Sequence, residues 1–394
     1  FFLNSSAITF GATVTDPAGA NDSLTYAWSV TKGGVAYGST GTGTSYTFTP
    51  DDNAAYIVSL TVTDGDGGST TDTHTVTVTA TDPTSDPTPG ASVNGTVQQS
   101  GGTTRLVIAG TNGNDVITLS YNGSATSLVS GAGTQTFAGY YGYISVYGFG
   151  GDDVIRLDYS IMGSTLVYAG DGNDKVYENS QGAATIYGGA GDDLLVAVGG
   201  GNDIVYGEAG TDNYWADTTD TLADSTSAEA SAKTIHCIAG FYQPYSADAA
   251  SVDYVSKDIN SQSLRDPVTG YAVSNYANRP LFVDGPQYDD IRQGALGDCY
   301  YLAVLASMSD TDPNLISQAI TELGDGTYAV RFYRGGAEVY LRLDADMPSA
   351  YAKLTPDGET WVMLMEKAYA FFRYGSNCYS SIEGGWMSTV VTEL

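Results

Sequence analysis

The chain is poor in basic residues, histidine and cysteine, and each shortage narrows what it can do. Lys and Arg total 15 against 45 Asp and Glu, a formal charge of −30 over 394 residues. Such a chain repels polynucleotides and anionic lipid and attracts cations, so nucleic acid is excluded as a partner and calcium is the first ligand to test. Three cysteines, Cys237, Cys299 and Cys378, are too few to staple a chain of this length, so its cores must hold by packing and at least one thiol stays free. The only histidines are His74 and His236. No apolar run approaches the roughly 18 residues of a membrane span, and no basic start with a small-residue cleavage site marks a leader. The chain opens FFLNSS without Met and stops at STVVTEL, which reads as an internal piece of a longer protein.

What is plentiful is glycine (49) and tyrosine (30). With so few charges, that mixture favours turn-rich β structure, and the length suits two to four domains. From Ala7 to about Ala80, short alternating runs such as LTYAWSVTK and YIVSLTVTDGDGG are broken by Asp, Gly, Pro and Asn turns. Leu24, Tyr26, Trp28 and Val30 share one strand face and Val58, Leu60 and Val62 another, the patterning of a sandwich. A Pro-rich linker, TDPTSDPTPGAS, follows at 81–92.

Between about 93 and 215 a nine-residue pattern, G-G-x-G-x-D-x-U-x with U apolar, recurs six times: GTNGNDVIT, GFGGDDVIR, AGDGNDKVY, GGAGDDLLV, VGGGNDIVY and GEAGTDNYW. Asp174, Asp193 and Asp212 stand at 19-residue steps, close to the two nonapeptides of one turn of a parallel β-roll. Glycines permit tight turns that aim carbonyls inward, and the Asp adds a carboxylate, so stacked turns can surround a hard cation with oxygen. Asp174, Asp193 and Asp212 are the leading ligands, Asp153 and Asp203 come next, and Asp115 is isolated.

The stretch RQGALGDCYYLAVLAS (292–307) places Cys299 at the start of an apolar run with helical spacing at Leu302, Leu305 and Met308. Asp298 can cap that helix, and the positive end of its dipole favours the thiolate, the nucleophilic form. Gln293, across the GALG bend, can turn its amide back to the sulfur and bind an oxyanion with the Cys299 N–H. A lone Cys on an apolar helix is more often a small core residue, so spacing leaves both readings open.

Three resemblances bear on these readings. The first eighty residues, with Tyr26, Trp28 and VTDGDGG, resemble a PKD or related Ig-like module, which implies a spacer or adhesion role. The nonapeptides resemble the calcium-binding repeats of RTX proteins, with Ala169, Val198 and Glu208 in place of family glycines. QGALGDCYYLAVLAS closely resembles the catalytic stretch of calpain-like cysteine proteases, and the similarity continues through YAVRFYRGGAEVYLRLDADMP and ETWVMLMEKAYAFFRYGSNCYSSIEGG. Trp361, Leu364, Met365, Ala368, Tyr369 and Phe372 read as one apolar face of a helix there.

The calpain resemblance implies a thiolate attack on a peptide bond at Cys299, with Gln293 assisting. It also implies a calcium ion held by backbone oxygens of Val283 and Gly285 and by the carboxylates of Asp290 and Glu359. The family's His and Asn lie in a second lobe downstream, so no peptidase activity is expected of this chain alone. The expected architecture is multidomain and mainly β with an α+β end. An Ig-like β-sandwich occupies 1–80, the linker 81–92, a parallel β-roll 93–215, a connector 216–279, and the first, helical and mixed, lobe of a papain-like calpain core 280–394. The expected function is that of a secreted or cell-surface, bacterial, calcium-dependent cysteine endopeptidase acting on protein or peptide substrates. The rival is a calcium-binding adhesion or scaffold protein with a non-catalytic protease-like lobe.

Overall fold

The computed structural model describes residues 8–14, 23–32, 34–38, 40–49, 55–77, 87–100, 103–242, 264, 266–374 and 377–394. The chain divides into two compact units, Phe1–Asp86 and Pro87–Leu394.

In the first unit, strands Ile8–Gly11 and Ser45–Phe48 pair antiparallel, and a second sheet joins Val35–Ala36, Thr25–Lys32, Ala55–Thr63 and Ser69–Thr77 in that order. Alternation sends Trp28, Val30, Tyr46, Phe48, Tyr56 and Val58 into one core, where Trp28 stacks on Tyr46 at 5.8 Å and donates its indole N–H to Gly43 O. His74 is exposed on the edge strand. Of the expected linker, residues 81–86 lie outside the described residues.

In the second unit, two parallel sheets face each other to make a β-solenoid. One stacks Val116–Tyr121, Val154–Leu157, Lys175–Glu178, Leu194–Ala197, Asn213–Asp217 and Ile235–Ile238, and the other Thr103–Ala109, Tyr143–Gly150, Ser164–Asp171, Ala184–Ala190, Ile204–Ala209 and Thr221–Leu222. The x-U-x triplets build its interior: Ile117, Ile155, Val176 and Leu195 from one sheet meet Ile108, Val146, Val167, Ile186 and Val205 from the other, all almost wholly buried. Equivalent side chains stack from turn to turn, as Tyr147, Tyr168, Tyr187 and Tyr206 do with ring centroids 4.7–5.2 Å apart. Phe149, Gly170, Gly189 and Glu208 share one register position and all have positive φ. Glu208 therefore accepts a left-handed conformation where the pattern asks for glycine.

The solenoid runs to Ile238, beyond the expected end at 215. Residues 216–238 form its last turn, with a short helix Ser227–Ala232, and so belong to the roll and not to a connector. Val198, another departure from glycine, is fully buried and packs outward against the next region.

That region is α+β. A helix Cys299–Thr311 and a helix Trp361–Phe372 pack with a sheet of Ile320–Glu322, Thr327–Arg334 and Ala337–Asp344. The hairpin turns at Gly335-Gly336, both at positive φ, with Arg334 opposite Ala337. All twelve residues of Trp361–Phe372 are buried, so the expected single apolar face is in fact a helix enclosed on every side. Its Lys367, 1% exposed, is accommodated because its Nζ meets Asp266 Oδ1 at 2.5 Å, Asp344 Oδ1 at 2.6 Å and the carbonyls of Asp344 and Asp346.

The solenoid and this α+β region, called the lobe below, share a core. Tyr177, Val196, Val198, Trp215, Ile238 and Phe241 close over Leu323, Ala329 and Tyr340. Asn179 Nδ2 donates to Leu323 O at 2.8 Å, and any side chain at Gly324 would strike the Tyr177 ring.

Candidate active site and acidic clusters

Cys299 is the first residue of a 13-residue helix and is exposed, whereas Tyr300 and Tyr301 behind it are buried. The tyrosines fix the helix: Tyr300 donates to Ile382 O and Tyr301 to Met365 O, each at 2.9 Å, and Tyr301 stacks on Tyr369 at 4.1 Å. The preceding loop is clamped by Ala295 N–H to Ala350 O and by Gly384 N–H to Gly297 O. Gly294 must be glycine, since a Cβ there would lie 1.9 Å from Tyr351 O. The result is a rigid platform that presents one thiol to solvent.

Two expectations need correction here. Asp298 occupies the N-cap position, yet its side chain makes no capping bond; it turns inward and is 0% exposed. Gln293 Nε2 does not reach the sulfur, because it donates to Leu296 O at 2.8 Å and to Asp298 Oδ1 at 3.3 Å. A carbonyl and a carboxylate are better acceptors than a thiol, so the loop keeps the amide.

His236 sits apart from this chemistry. It is fully buried between solenoid and lobe, stacks on Trp215 at 3.9 Å, and shares a hydrogen bond with Gln318 at 3.2 Å. Burial lowers its pKa to about 4.

Asp290 and Glu359 do come together. Both are nearly buried; Asp290 Oδ2 accepts from Trp361 Nε1 at 3.0 Å and Gln287 N–H at 2.7 Å, while Glu359 Oε1 accepts the Val283 N–H. Burial, opposed by that backbone bond and reinforced by the Asp290 charge, raises the Glu359 pKa. Gly285 lies in the same loop at positive φ with open space about it. Trp361, placed by its spacing on the apolar face of the helix, is fully buried and also donates to this acidic pair.

The solenoid aspartates form a column. Each Oδ1 accepts the N–H of the aspartate one turn earlier: Asp153 from Asp115, Asp174 from Asp153, Asp193 from Asp174 and Asp212 from Asp193, at 2.7–3.0 Å. Asp115 is thus the first rung and not isolated; 38 residues separate it from Asp153 because antiparallel strands Ala125–Ser130 and Gly133–Ala138 are inserted between them. Glu229, which the repeat does not reveal, ends the column by accepting from Asp212 N–H at 3.0 Å. Asp203 lies on the opposite edge, where its Oδ1 accepts Ala184 N–H. Glu178, fully buried and charge-coupled to that edge, was also invisible to the pattern.

Asp153, Asp174, Asp193 and Asp203 each leave Oδ2 buried without a hydrogen-bond partner among the described residues. Burial chiefly raises their pKa values, to about 7, 6, 8 and 9 respectively. Asp193 Oδ2 and Gly207 O both lie where a Cβ on Gly188 would sit. Orphaned carboxylate oxygens beside inward carbonyls are a donor set that fits a hard divalent cation.

With this geometry in hand, comparison with known proteins is informative. Residues 256–394 match the family model described as calpain family cysteine protease, and residues 3–78 match one described as a PKD domain. A calpain of Schistosoma mansoni is 34% identical over 131 residues, covering 30% of this chain and 17% of that protein. Calpain-5 of Caenorhabditis elegans is 31% identical over 130 residues, 29% of this chain and 19% of that protein. The calpain-2 catalytic subunit of Homo sapiens is 31% identical over 119 residues, 28% and 17% respectively. The chain thus spans less than a fifth of these relatives. These matches support a calpain-family cysteine protease domain over residues 256–394 and a PKD domain over residues 3–78.

Proposed function

We propose that this chain carries the nucleophile-bearing first lobe of a secreted or cell-surface, calcium-dependent cysteine endopeptidase. The Cys299 thiolate attacks the scissile carbonyl, the C–N bond breaks, the amine leaves with the proton given up by the thiol, and the acyl group stays on sulfur as a thioester that water then hydrolyses; the Cys299 N–H together with the Gln293 amide, once redirected, stabilises the oxyanion. The repeats read as RTX-type, with calcium held by Asp153, Asp174, Asp193, Asp203 and Asp212. A further ion is assigned to Asp290, Glu359 and the backbone oxygens of Val283 and Gly285; there it fixes the loop leading to Cys299. Proteins or peptides are the substrates.

The observation that carries this reading is the exposed Cys299 on a clamped helix start, inside the region that matches the calpain family. Its test is labelling of the chain by a peptide-like electrophile with and without calcium, beside Cys299→Ala. Labelling at Cys299 that rises with calcium is expected. Labelling that survives the substitution removes Cys299 as the nucleophile.

A second reading has its own observation: His236 is committed to the solenoid interface and cannot serve as a base. If calcium orders the roll while Cys299 stays inert toward the electrophile, the chain is a calcium-binding scaffold.

A further inference from the structure

Beneath Cys299 lie two acids that the reading above leaves unused. Asp298 is 0% exposed, one oxygen holding the Gln293 amide and the other without a hydrogen-bond partner. Glu366, 2% exposed on the facing helix, interacts with Asp298 and accepts the Ala352 N–H at 3.0 and 3.3 Å. Tyr301, packed between the helices, donates to Met365 O, the carbonyl next to Glu366. Among the described residues, the other titratable groups facing the pair are Tyr300, Tyr301, Tyr379 and Lys353; the first two hydroxyls donate to carbonyls, and Lys353 Nζ is taken by Ser349 O. No cation in this set neutralises two buried carboxylates.

We propose that Asp298 and Glu366 share one proton and that this pair positions Gln293: Glu366 donates to the idle oxygen of Asp298, and Asp298 thereby holds the Gln293 amide against the loop, turned from the sulfur, until it is released. Two adjacent carboxylates out of water cannot both ionise, so one proton must stay between them. Burial, and then the Asp298 charge, pushes Glu366 to about 9, and burial raises Asp298 as well. The arrangement rests on the protease reading for its purpose but not for its existence. Loss of the shared proton at high pH sets two like charges against each other and frees the Gln293 side chain.

The experiment is a pH series of side-chain amide NMR spectra of the 394-residue chain, with the Gln293 signal identified by its loss in Gln293→Ala. One titration step of that signal, well above the ordinary carboxylate range, is expected. Glu366→Gln and Asp298→Asn place a permanent donor between the two groups, so each should abolish the step while amide exchange stays slow. Asp298→Ala removes the acceptor and should speed Gln293 amide exchange about tenfold, as loss of a charged hydrogen bond does. A step unchanged in Glu366→Gln overturns the proposal, even if Asp298→Ala does not fold. Equal exchange in the folded alanine variant and the parent chain overturns it too. Electrophile labelling of Cys299 in the same samples separates the two ideas: inert Cys299 with the expected Gln293 step defeats only the protease reading, and the reverse outcome defeats only the pair.

Discussion

The lobe and the solenoid bury acids in opposite ways. In the lobe, Asp266 and Asp344 surround the ammonium of Lys367, which the chain supplies from its own helix. In the solenoid, Asp153, Asp174 and Asp193 stack with idle oxygens and, among the described residues, no basic side chain bonds to them. The difference separates a site that is neutral by construction from one that must take a proton or a cation from solvent. The lobe cluster, Asp266 and Asp344 with Asp346 beside them, is therefore poor evidence for a metal until its surroundings are counted, and a regular column of single aspartates is better evidence than it looks.

The largest break of this comparison is Lys367→Met. Removing the ammonium leaves uncompensated acids against a buried helix, and the lobe should lose about 3–5 kcal/mol, read as a lower urea midpoint by tryptophan fluorescence. Calcium should leave that loss unrepaired.

The solenoid should respond the other way. Calcium at about 100 times its dissociation constant should add roughly 2.7 kcal/mol, visible as a raised thermal midpoint and a gain of β signal in circular dichroism. The response depends on pH with a definite sign. The column aspartates hold protons in the folded state up to about pH 6–8, whereas unfolded chains lose them near pH 4. Between those limits the folded state binds more protons, so calcium-free stability should fall as pH rises from 4 to 8. Calcium should restore more at pH 8 than at pH 5, and a flat profile would count against the buried column. The smallest effect is Asp193→Asn, which keeps an oxygen for the Asp174 N–H and removes one charge. Calcium-free stability should change by no more than about 1 kcal/mol, while calcium affinity falls, as isothermal titration would report.

How far the sequence could be read depended on whether a residue's partner lay at a regular distance. The 19-residue step placed Asp174, Asp193 and Asp212 in one column because nothing interrupts those turns. Asp115 escaped because a hairpin lies between it and Asp153, and Glu229 escaped because the last turn is shorter and carries a different acid. In the lobe, the resemblance led to Cys299, Gln293, Asp290 and Glu359. Asp298 reads as a cap because a helix start normally claims a nearby carboxylate; Gln293 in the same loop and Glu366 on a distant helix claim it instead, and only the second lies beyond the reach of local spacing. The helix Trp361–Phe372 shows one apolar face by spacing alone, and only the tertiary partners of Glu366 and Lys367 explain why its other side is buried as well.

The joint at Trp215 has a consequence for how such a chain can change over generations. Turns of a solenoid touch only their neighbours, so a whole turn can be duplicated or lost without disturbing distant ones. The final turns are an exception, since Tyr177, Val198, Trp215 and Ile238 are shaped to fit the lobe. A change in turn number is therefore expected to be tolerated unequally: the turns that end near residue 238 are held to one arrangement by their neighbour, whereas the hairpin Ala125–Ser130 and Gly133–Ala138 is carried toward the other end.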